Sequence, residues 1–243
     1  MILSHRDIEE IAAAVTQDFN KFFFGTDANW QRLPRGMPID QFASDYLGLD
    51  VSFAYLSSDG SICGLTAYAD TEYIVEENGR QHKISLRSNE VLLDRRFIEP
   101  SQIRRLCGKR RFTLAHECAH QILFSMETDE VRKACFRKYS ARTAYSLREL
   151  KTYEDWNEWQ ANVLGAALLM PQQEVDLAVS YYVGRKKLIN YGGMFIYWDR
   201  VALDMICELF GVSRTAAVIR LEQLGHMENR SYAEYSNPLE VWS

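Results

Sequence analysis

The chain has 243 residues, of which 47% are hydrophobic and 25% are charged, and its formal net charge is −5. This length and composition allow a substantial buried core, and the acidic balance argues against a protein that mainly binds nucleic acid or an anionic membrane. Five cysteines without a C-x-x-C pair indicate reduced thiols. The N-terminal sequence has no apolar signal segment, and no stretch reaches the roughly 20 apolar residues of a membrane span. We therefore expect a soluble, cytoplasmic protein.

Helix signals open the chain. Ser4 followed by Asp7 is a capping-box-like start, and apolar residues at helical spacing continue to Gly25, where we expect the first helix to end. Pro38 then suits the first position of a short helix that ends at Gly48. These helices are expected to pack on the core.

Strand signals follow the second helix. Residues 50–56 alternate in polarity, and residues 62–68 are expected to be the strand that returns after a Ser-Ser-Asp-Gly turn. Residues 72–76 and 82–86 flank an Asn-Gly pair, which is a strong hairpin signal, and residues 90–97 can add a further strand. The sequence therefore predicts a small, mostly antiparallel sheet.

A histidine pair lies directly downstream of this sheet. In the segment RRFTLAHECAHQILFS, His116 and His120 stand four positions apart, and Glu117 follows the first of them. Positions four apart share one face of a helix, so both imidazoles can bind one ion. The order H-E-x-x-H is typical of a zinc helix. We expect this helix to begin after a separate short helix at 101–107 that Gly108 closes, and the weaker alternative is a pair of satisfied core histidines.

A later helix offers the third ligand. It is expected to run from Thr152 to Met170, and it carries Glu158 and Asn162 four positions apart beside an apolar stripe. Two histidines and Glu158 would bind one zinc ion and leave its fourth position to water. We expect Asn162 to orient Glu158 or a histidine.

Two histidines and a carboxylate are the donor set of thermolysin-type hydrolases, so we expect such a site to hydrolyse peptide bonds. Zinc lowers the pKa of its water to about 7, and Glu117 would take the proton of that water and pass it to the departing amine. A second donor usually helps to hold the oxyanion. The sequence offers four candidates for this donor without choosing among them: Tyr139, Arg142, Tyr145 and Tyr153.

A basic segment lies between the two half-sites. Residues 131–151 contain seven basic side chains and one acidic side chain, a net charge of +6. The simpler interpretation is a solvated, partly irregular insertion. The alternative is a cleft rim that attracts an acidic part of a substrate, and a second basic run at 104–111 has the same two interpretations.

The C-terminal region resembles a helix-turn-helix. Helix signals over 199–210 and up to residue 224 flank the turn Gly211-Val212-Ser213. The stretch 181–198 predicts a loop or short extended piece, and the tail from His226 shows no clear pattern. Residues 199–226 carry a net charge of −1, which is a poor electrostatic footprint for DNA.

These patterns predict two domains. Residues 1–197 would form the zincin-like metallopeptidase domain, with the N-terminal helices, the small sheet and both half-sites. Residues 198–243 would form the helix-turn-helix-like segment and its tail, packed on the core.

The central blocks resemble the ImmA/IrrE family of metallopeptidases. RRFTLAHECAHQILF matches the family segment R-F-T-x-A-H-E-x-x-H, and EWQANVLGAALLMP is similar to E-x-x-A-N-x-x-A-x-x-L-L-M-P, with Gly165 at the second alanine of the pattern. The resemblance implies ligand roles for His116, His120 and Glu158 and a catalytic role for Glu117. It also implies a compact α+β zincin fold in which the sheet packs on the H-E-x-x-H helix.

The resemblance further implies a substrate. That substrate is a helix-turn-helix repressor in a mobile element, a phage or a stress-response circuit. The chain departs from the family pattern at Gln160, where the family often has a second acid, and in the long segment between His120 and Glu158.

Three functions follow from the sequence as hypotheses. The first is a zinc endopeptidase that cleaves a regulatory protein. The second is a DNA-binding regulator that uses the C-terminal helix pair, with Arg214 and Arg220 as its readers. The third is a zinc-stabilised binding module without turnover, in which Glu117 would be dispensable.

Overall fold

Helices and short strands alternate along the chain in a mixed α+β fold. The computed structural model describes residues 2–25, 33–68, 70–77, 80–127, 136–140, 153–184 and 187–236. The helices are α1 (His5–Phe24), α2 (Ile39–Gln41, continued by a π-helical turn at Phe42–Tyr46), α3 (Ile103–Ser125), α4 (Tyr153–Leu169), α5 (Gln172–Tyr182), α6 (Tyr197–Phe210) and α7 (Arg214–Gln223). The strands are β1 (Asp50–Ala54), β2 (Ile62–Ala67), β3 (Thr71–Glu77), β4 (Arg80–Leu86), β5 (Glu90–Asp94), β6 (Phe136–Ser140), β7 (Leu188–Tyr191) and β8 (Met227–Arg230).

The helix ends follow their local signals. The Ser4 side chain accepts a hydrogen bond from the Asp7 backbone, and the Ser4 backbone N–H donates to the Asp7 carboxylate at 2.8 Å, so the predicted capping box is confirmed. Gly25 ends α1 with a φ of 73°, a conformation that a glycine adopts without strain. Pro38 and Pro171 each lie one residue before a helix, at the N-cap, rather than in its first position.

The main sheet has four strands in the order β1-β5-β2-β6. Strand β1 runs parallel to β5, and the pairs β2·β5 and β2·β6 are antiparallel. Strands β3 and β4 pair only with each other as the predicted hairpin. The predicted α+β class with a small, mostly antiparallel sheet is therefore confirmed.

The expected pairing of the first two strands is wrong. Strand β5 lies between β1 and β2, so β2 does not return along β1. The Arg96 guanidinium holds the connection, because it donates to the carbonyls of Ser57 and Ser58 at 2.9 and 3.0 Å and pairs with Asp94. The turn signal in the sequence was correct, but a contact across 38 residues decides which strand becomes the neighbour.

The histidine-bearing helix is longer than expected. Residues 103–107 and the motif belong to one helix, α3, and Gly108 lies inside it rather than closing it. The loop between α6 and α7 crosses α3 at this point, with the Ser213 nitrogen 3.6 Å from the position of a β-carbon on Gly108. A glycine inside a helix is less stable than an alanine by about 1 kcal/mol. The packing of this loop on α3 compensates for that loss.

Two apolar clusters cover the two faces of the main sheet. The larger joins the sheet face that carries Val91 and Leu93 to all the long helices, including Leu114 of α3 and Leu164 of α4. The smaller lies on the opposite face and is closed by the β3–β4 hairpin: Leu56, Leu65, Ala67, Tyr73, Val75, Leu86 and Leu92. Helix α3 is thus enclosed on both sides, with the sheet on one and α4 on the other.

The C-terminal helices are part of the larger cluster. Arg220 of α7 is only 2% exposed, and its guanidinium forms a bidentate ion pair with Glu9 of α1 and donates to the Met170 carbonyl at 3.0 Å. Arg214, also on α7, pairs with Asp204. Neither guanidinium is a free reader of DNA. The domain division at residue 198 stays a prediction.

Two short extended segments follow α5. The stretch 181–198, expected to be a loop or short extended piece, contains strand β7, and the segment after His226, for which an extended arm was one of two expectations, forms β8. The two strands pair in parallel register from Leu188 and Met227 onward. The tail lacks an alternating pattern because only Met227 of β8 is buried. Its place is set by a partner strand that lies far away in sequence.

The basic run on α3 has mixed surroundings. Arg110 pairs with Asp40, and Arg111 donates to the Met37 carbonyl at 2.8 Å and to the Phe210 carbonyl at 3.3 Å. These two side chains therefore have structural partners. Of the +6 segment at 131–151, the structure describes only β6.

No described helix has the length and apolar character that crossing a membrane requires.

Removal of the buried guanidinium of Arg220 is expected to destabilise the fold strongly. Arg220→Ala leaves the Glu9 carboxylate and the Met170 carbonyl without their partner, which costs about 3 kcal/mol for a buried pair. Arg214→Ala is the matched control, since its side chain is 51% exposed and such pairs contribute roughly 0–1 kcal/mol. Urea unfolding measures both changes. Equal, small losses would show that the Arg220 pair does not hold α7 to α1.

Candidate metal centre

Helix α3 presents its two histidines in the interior. His116 is fully buried and His120 is 2% exposed, and their Nε2 atoms are 3.0 Å apart. The rings stand at 86° to each other with centroids 4.6 Å apart. Because the two positions are one helical turn apart in the middle of a long helix, their nitrogens converge on one point.

Helix α4 brings Glu158 to the same point. Its carboxylate oxygens lie 3.3 Å from His116 Nε2 and 3.3 Å from His120 Nε2. Gly165 makes this approach possible, since a β-carbon there would lie 3.1 Å from the His116 nitrogen and 3.2 Å from its α-carbon. Sequence reasoning missed Gly165, although a glycine inside a strong helix is a signal of close packing.

The three donors fit a metal ion. Within the described part of the chain, His116, His120 and Glu158 are the group of ligating side chains whose donor atoms lie within 4.8 Å of one another. Zinc bonds of about 2.0–2.1 Å in a tetrahedron place neighbouring donors about 3.3 Å apart. The observed separations of 3.0 to 3.3 Å are close to that edge length. Two imidazoles and a carboxylate are also a donor set that catalytic zinc sites use.

Glu117 is buried beside the donors without a protein partner for its carboxyl group. It is 0% exposed, and among the described residues neither of its oxygens has a hydrogen-bond partner. Burial and then the charge of Glu158 raise the pKa of Glu117 well above its usual range. A buried, unpaired carboxyl is costly, so its retention next to three ligands points to a role in the chemistry.

Gly64 of β2 leaves room for this carboxyl. A β-carbon at Gly64 would lie 2.8 Å from Glu117 Oε1 and 2.6 Å from Thr113 Cγ2. Gln121 holds the same strand against α3, because its Nε2 donates to the Ala67 carbonyl at 2.9 Å and to the Thr66 hydroxyl. Gly64 is a second functional position that sequence reasoning missed, since its strand is otherwise an ordinary apolar run.

The protonation states suit metal binding. Burial, followed by the nearby His120, lowers the pKa of His116 to about 4. Burial acts to raise the pKa of Glu158, but hydrogen bonds with His116 and His120 outweigh it and lower that pKa. Neutral imidazole and ionised carboxylate are the forms that bind a cation. Asn162 interacts with the His116 side chain and acts against the lowering of its pKa. Its role in orienting a ligand stays a prediction.

The four candidate oxyanion donors stay a prediction. Tyr139 lies on β6 opposite Gly64 in the strand register, and Tyr153 is the first residue of α4. Arg142 and Tyr145 lie outside the described residues. A nearby aromatic group that sequence reasoning did not select is Tyr68, whose ring stacks on Phe124 at 4.0 Å between centroids.

The part of the chain that forms this site is similar to a known protein family. Residues 107–222 match the peptidase family model of the IrrE N-terminal-like domain. This part of the chain is similar to that family. The match includes α4, α5, α6 and most of α3 and α7, so it contains all three donors and Glu117. No curated protein matches the chain. The similarity to this family supports a metallopeptidase-type function, and the donor cluster indicates a metal ion as its cofactor.

The buried carboxyl predicts how stability depends on pH without metal. The pKa of Glu117 is raised in the folded state above the ordinary value of 4.5. The protonated carboxyl therefore stabilises the fold at low pH, and this stabilisation is lost as the pH rises above the ordinary value and through the folded-state pKa. In a chelating buffer, Glu117→Gln is expected to gain about 1–3 kcal/mol over the unchanged protein at pH 8.

Thermal melting at pH 5 and pH 8 measures this effect. A gain of 1 kcal/mol corresponds to about 2–4 °C in a protein of this size, and the gain should be smaller at pH 5. Glu10→Gln removes an exposed carboxylate of the same type and serves as the control. A Glu117→Gln variant that melts below the unchanged protein at pH 8 would contradict the prediction.

Proposed function

We propose that the protein is a zinc-dependent endopeptidase that cleaves a regulatory protein. The observation that carries the proposal is the convergence of His116, His120 and Glu158 from two helices beside the unpaired carboxyl of Glu117. Similarity to the peptidase family supports the peptidase class. The donor set favours zinc, because imidazole and carboxylate ligands in tetrahedral spacing with one open position are typical of catalytic zinc.

Glu117 acts as the general base. A zinc ion held by the three ligands supplies activation of water at neutral pH and polarisation of the scissile carbonyl. The Glu117 carboxylate accepts the proton of the attacking water and then delivers it to the departing amine. Its buried position gives it a pKa above the usual range, which suits a group that must both take and return a proton near neutral pH.

Glu158 and Asn162 set the geometry of the ligands. Glu158 holds both imidazoles in place through its two oxygens. Asn162, one turn further along α4, interacts with the His116 ring and orients it. The orientation of all three donors is therefore fixed by the way in which α4 packs on α3.

Tyr139 is the candidate oxyanion donor whose backbone is described on the main sheet. It pairs directly with Gly64, where a β-carbon would lie 3.2 Å from Glu117 Cγ. Residues directly opposite on antiparallel strands have α-carbons about 4.5–5.5 Å apart. The backbone of Tyr139 is thus held next to the strand that lines the base, and we propose Tyr139 as the oxyanion donor.

The proposed substrate is a helix-turn-helix repressor. The resemblance to the ImmA/IrrE family supports this class, and the repressor would belong to a mobile element, a phage or a stress-response circuit. The net charge of +6 over 131–151 favours a substrate with an acidic segment near the cleaved bond. Four described cysteines are free thiols, which agrees with a reducing cytoplasm as the site of action.

The buried partners of α7 weigh against the alternative of a DNA-binding regulator. The guanidinium of Arg220 donates to the Met170 carbonyl and forms an ion pair with Glu9. Arg214 forms an ion pair with Asp204 on the surface. A reader helix needs free basic groups toward phosphate. We therefore assign the C-terminal helices to the core rather than to DNA recognition.

Cleavage of a purified repressor tests the proposal. The probe is a purified helix-turn-helix repressor from the same genome, incubated with zinc-loaded protein and followed by mass spectrometry of the fragments. The unchanged protein should cut at a defined bond, and Glu117→Gln should keep the metal and lose cleavage by a factor of about 10² or more. His120→Ala should lose stoichiometric zinc, measured by elemental analysis. Undiminished cleavage by the Glu117→Gln variant would overturn the proposed mechanism.

A further inference from the structure

Helix α4 is held on two opposite faces. Glu158 points toward α3, where it meets the two histidines. Gln160, two positions further along, lies about 200° around the helix from Glu158 and is only 2% exposed. Its Oε1 accepts a hydrogen bond of 2.6 Å from the backbone N–H of Leu3, the residue just before the N-cap of α1. The ligand helix thus lies between the metal face and the N-terminus of the chain.

The N-terminus is fixed at this point by further contacts. The capping box of Ser4 begins α1 directly after Leu3. On the first turns of α1, the His5 ring meets the Trp159 ring of α4 edge-on at 6.3 Å between centroids, and Glu9 forms its ion pair with the buried Arg220. Chain termini are usually poorly ordered unless they are tied down. Here the first described residues are tied to the helix that carries a ligand.

The side chain at position 160 suits this contact chemically. A carboxylate in the same buried position would lose its hydration and needs charged partners. The Gln160 amide is neutral, its oxygen accepts the Leu3 N–H, and its Nε2 faces the Asn157 oxygen at 3.4 Å. The departure from the family pattern, in which an acid often occupies this position, thus coincides with a backbone donor from α1.

The contact lies close to the proposed ligand along α4. Gly165, where the α4 backbone packs against the α3 backbone, is seven positions beyond Glu158, or about 10 Å along the helix axis. Gln160 is only about 3 Å along the axis from Glu158. A restraint at Gln160 therefore acts near the ligand itself, at the end of α4 that begins after the undescribed residues 141–152.

We propose that the N-terminal segment at Leu3, through its hydrogen bond to Gln160, is a positioning element for the metal ligand Glu158. It holds the first turns of α4 against α3 and so keeps the third ligand at the two histidines. The proposal rests on the proposed metal site and assigns part of that site to an element outside residues 107–222, the part of the chain that matches the peptidase family.

Zinc release to an excess of chelator tests the proposal directly. The full-length protein is loaded with one equivalent of zinc, and a colorimetric chelator reports the rate of release. Leu3→Pro removes the donating N–H, and Leu3→Ala is its matched control, because it keeps the N–H and shortens the same side chain. Leu3→Pro should release zinc about 10-fold faster than Leu3→Ala, near the lower end of the effects seen when a group that supports a ligand is lost.

A further variant tests the acceptor. Gln160→Leu keeps the volume and removes the oxygen that accepts the Leu3 N–H. It should release zinc about as fast as Leu3→Pro and faster than the unchanged protein. Phe19→Leu, at a buried position of α1 far from the contact, controls for general loss of stability and should leave the release rate unchanged.

The outcomes separate this proposal from the proposed function. If the unchanged protein binds no zinc, the metal site itself is wrong. If it binds zinc, but Leu3→Pro and Gln160→Leu release it at the unchanged rate, only the positioning role is overturned. The same conclusion follows if Phe19→Leu accelerates release as much as they do.

Discussion

The close approach of α3 and α4 is the constraint on which the rest of the structure depends. The backbone of α4 at Gly165 lies against the backbone of α3 at His116, where a β-carbon would lie 3.1 Å from the His116 nitrogen and would push the two helices slightly apart. This contact sets the separation at which Glu158 reaches both imidazoles. A glycine also permits close packing on the other side of α3, where the main sheet lies. Gly64 leaves room for Glu117, and a side chain at that position would collide with it.

Burial gives the site its electrostatic character. Desolvation keeps His116 neutral and raises the pKa of Glu117, while the histidines hold Glu158 in its ionised form. The same low-dielectric surroundings leave the Glu117 carboxyl without a hydrogen-bond partner among the described residues. A fold usually excludes such a group, so its presence beside three possible metal donors favours the proposed catalytic site over a structural metal site, in which Glu117 would have no task.

The sequence predicted the parts of the site that have a local period. His116, Glu117 and His120 follow from spacing on one helix, and Glu158 follows from a second helix with an apolar stripe. Gly64 and Gly165 could not be identified as parts of the site from the sequence, because the need for a glycine at these positions depends on which atoms of other segments lie against them. The position of β5 between β1 and β2, and the pairing of β8 with β7, likewise depend on contacts between distant segments. The helix break expected at Gly108 failed because tertiary packing overrides a weak local propensity.

The central claim is that α4 delivers Glu158 as the third ligand of a single zinc ion. Anomalous diffraction at the zinc edge, from crystals of the zinc-loaded protein, tests this claim most directly. The account predicts one peak at about 2.0–2.2 Å from Nε2 of His116, Nε2 of His120 and an oxygen of Glu158. A peak elsewhere, or zinc bound to the two histidines without Glu158, would contradict it.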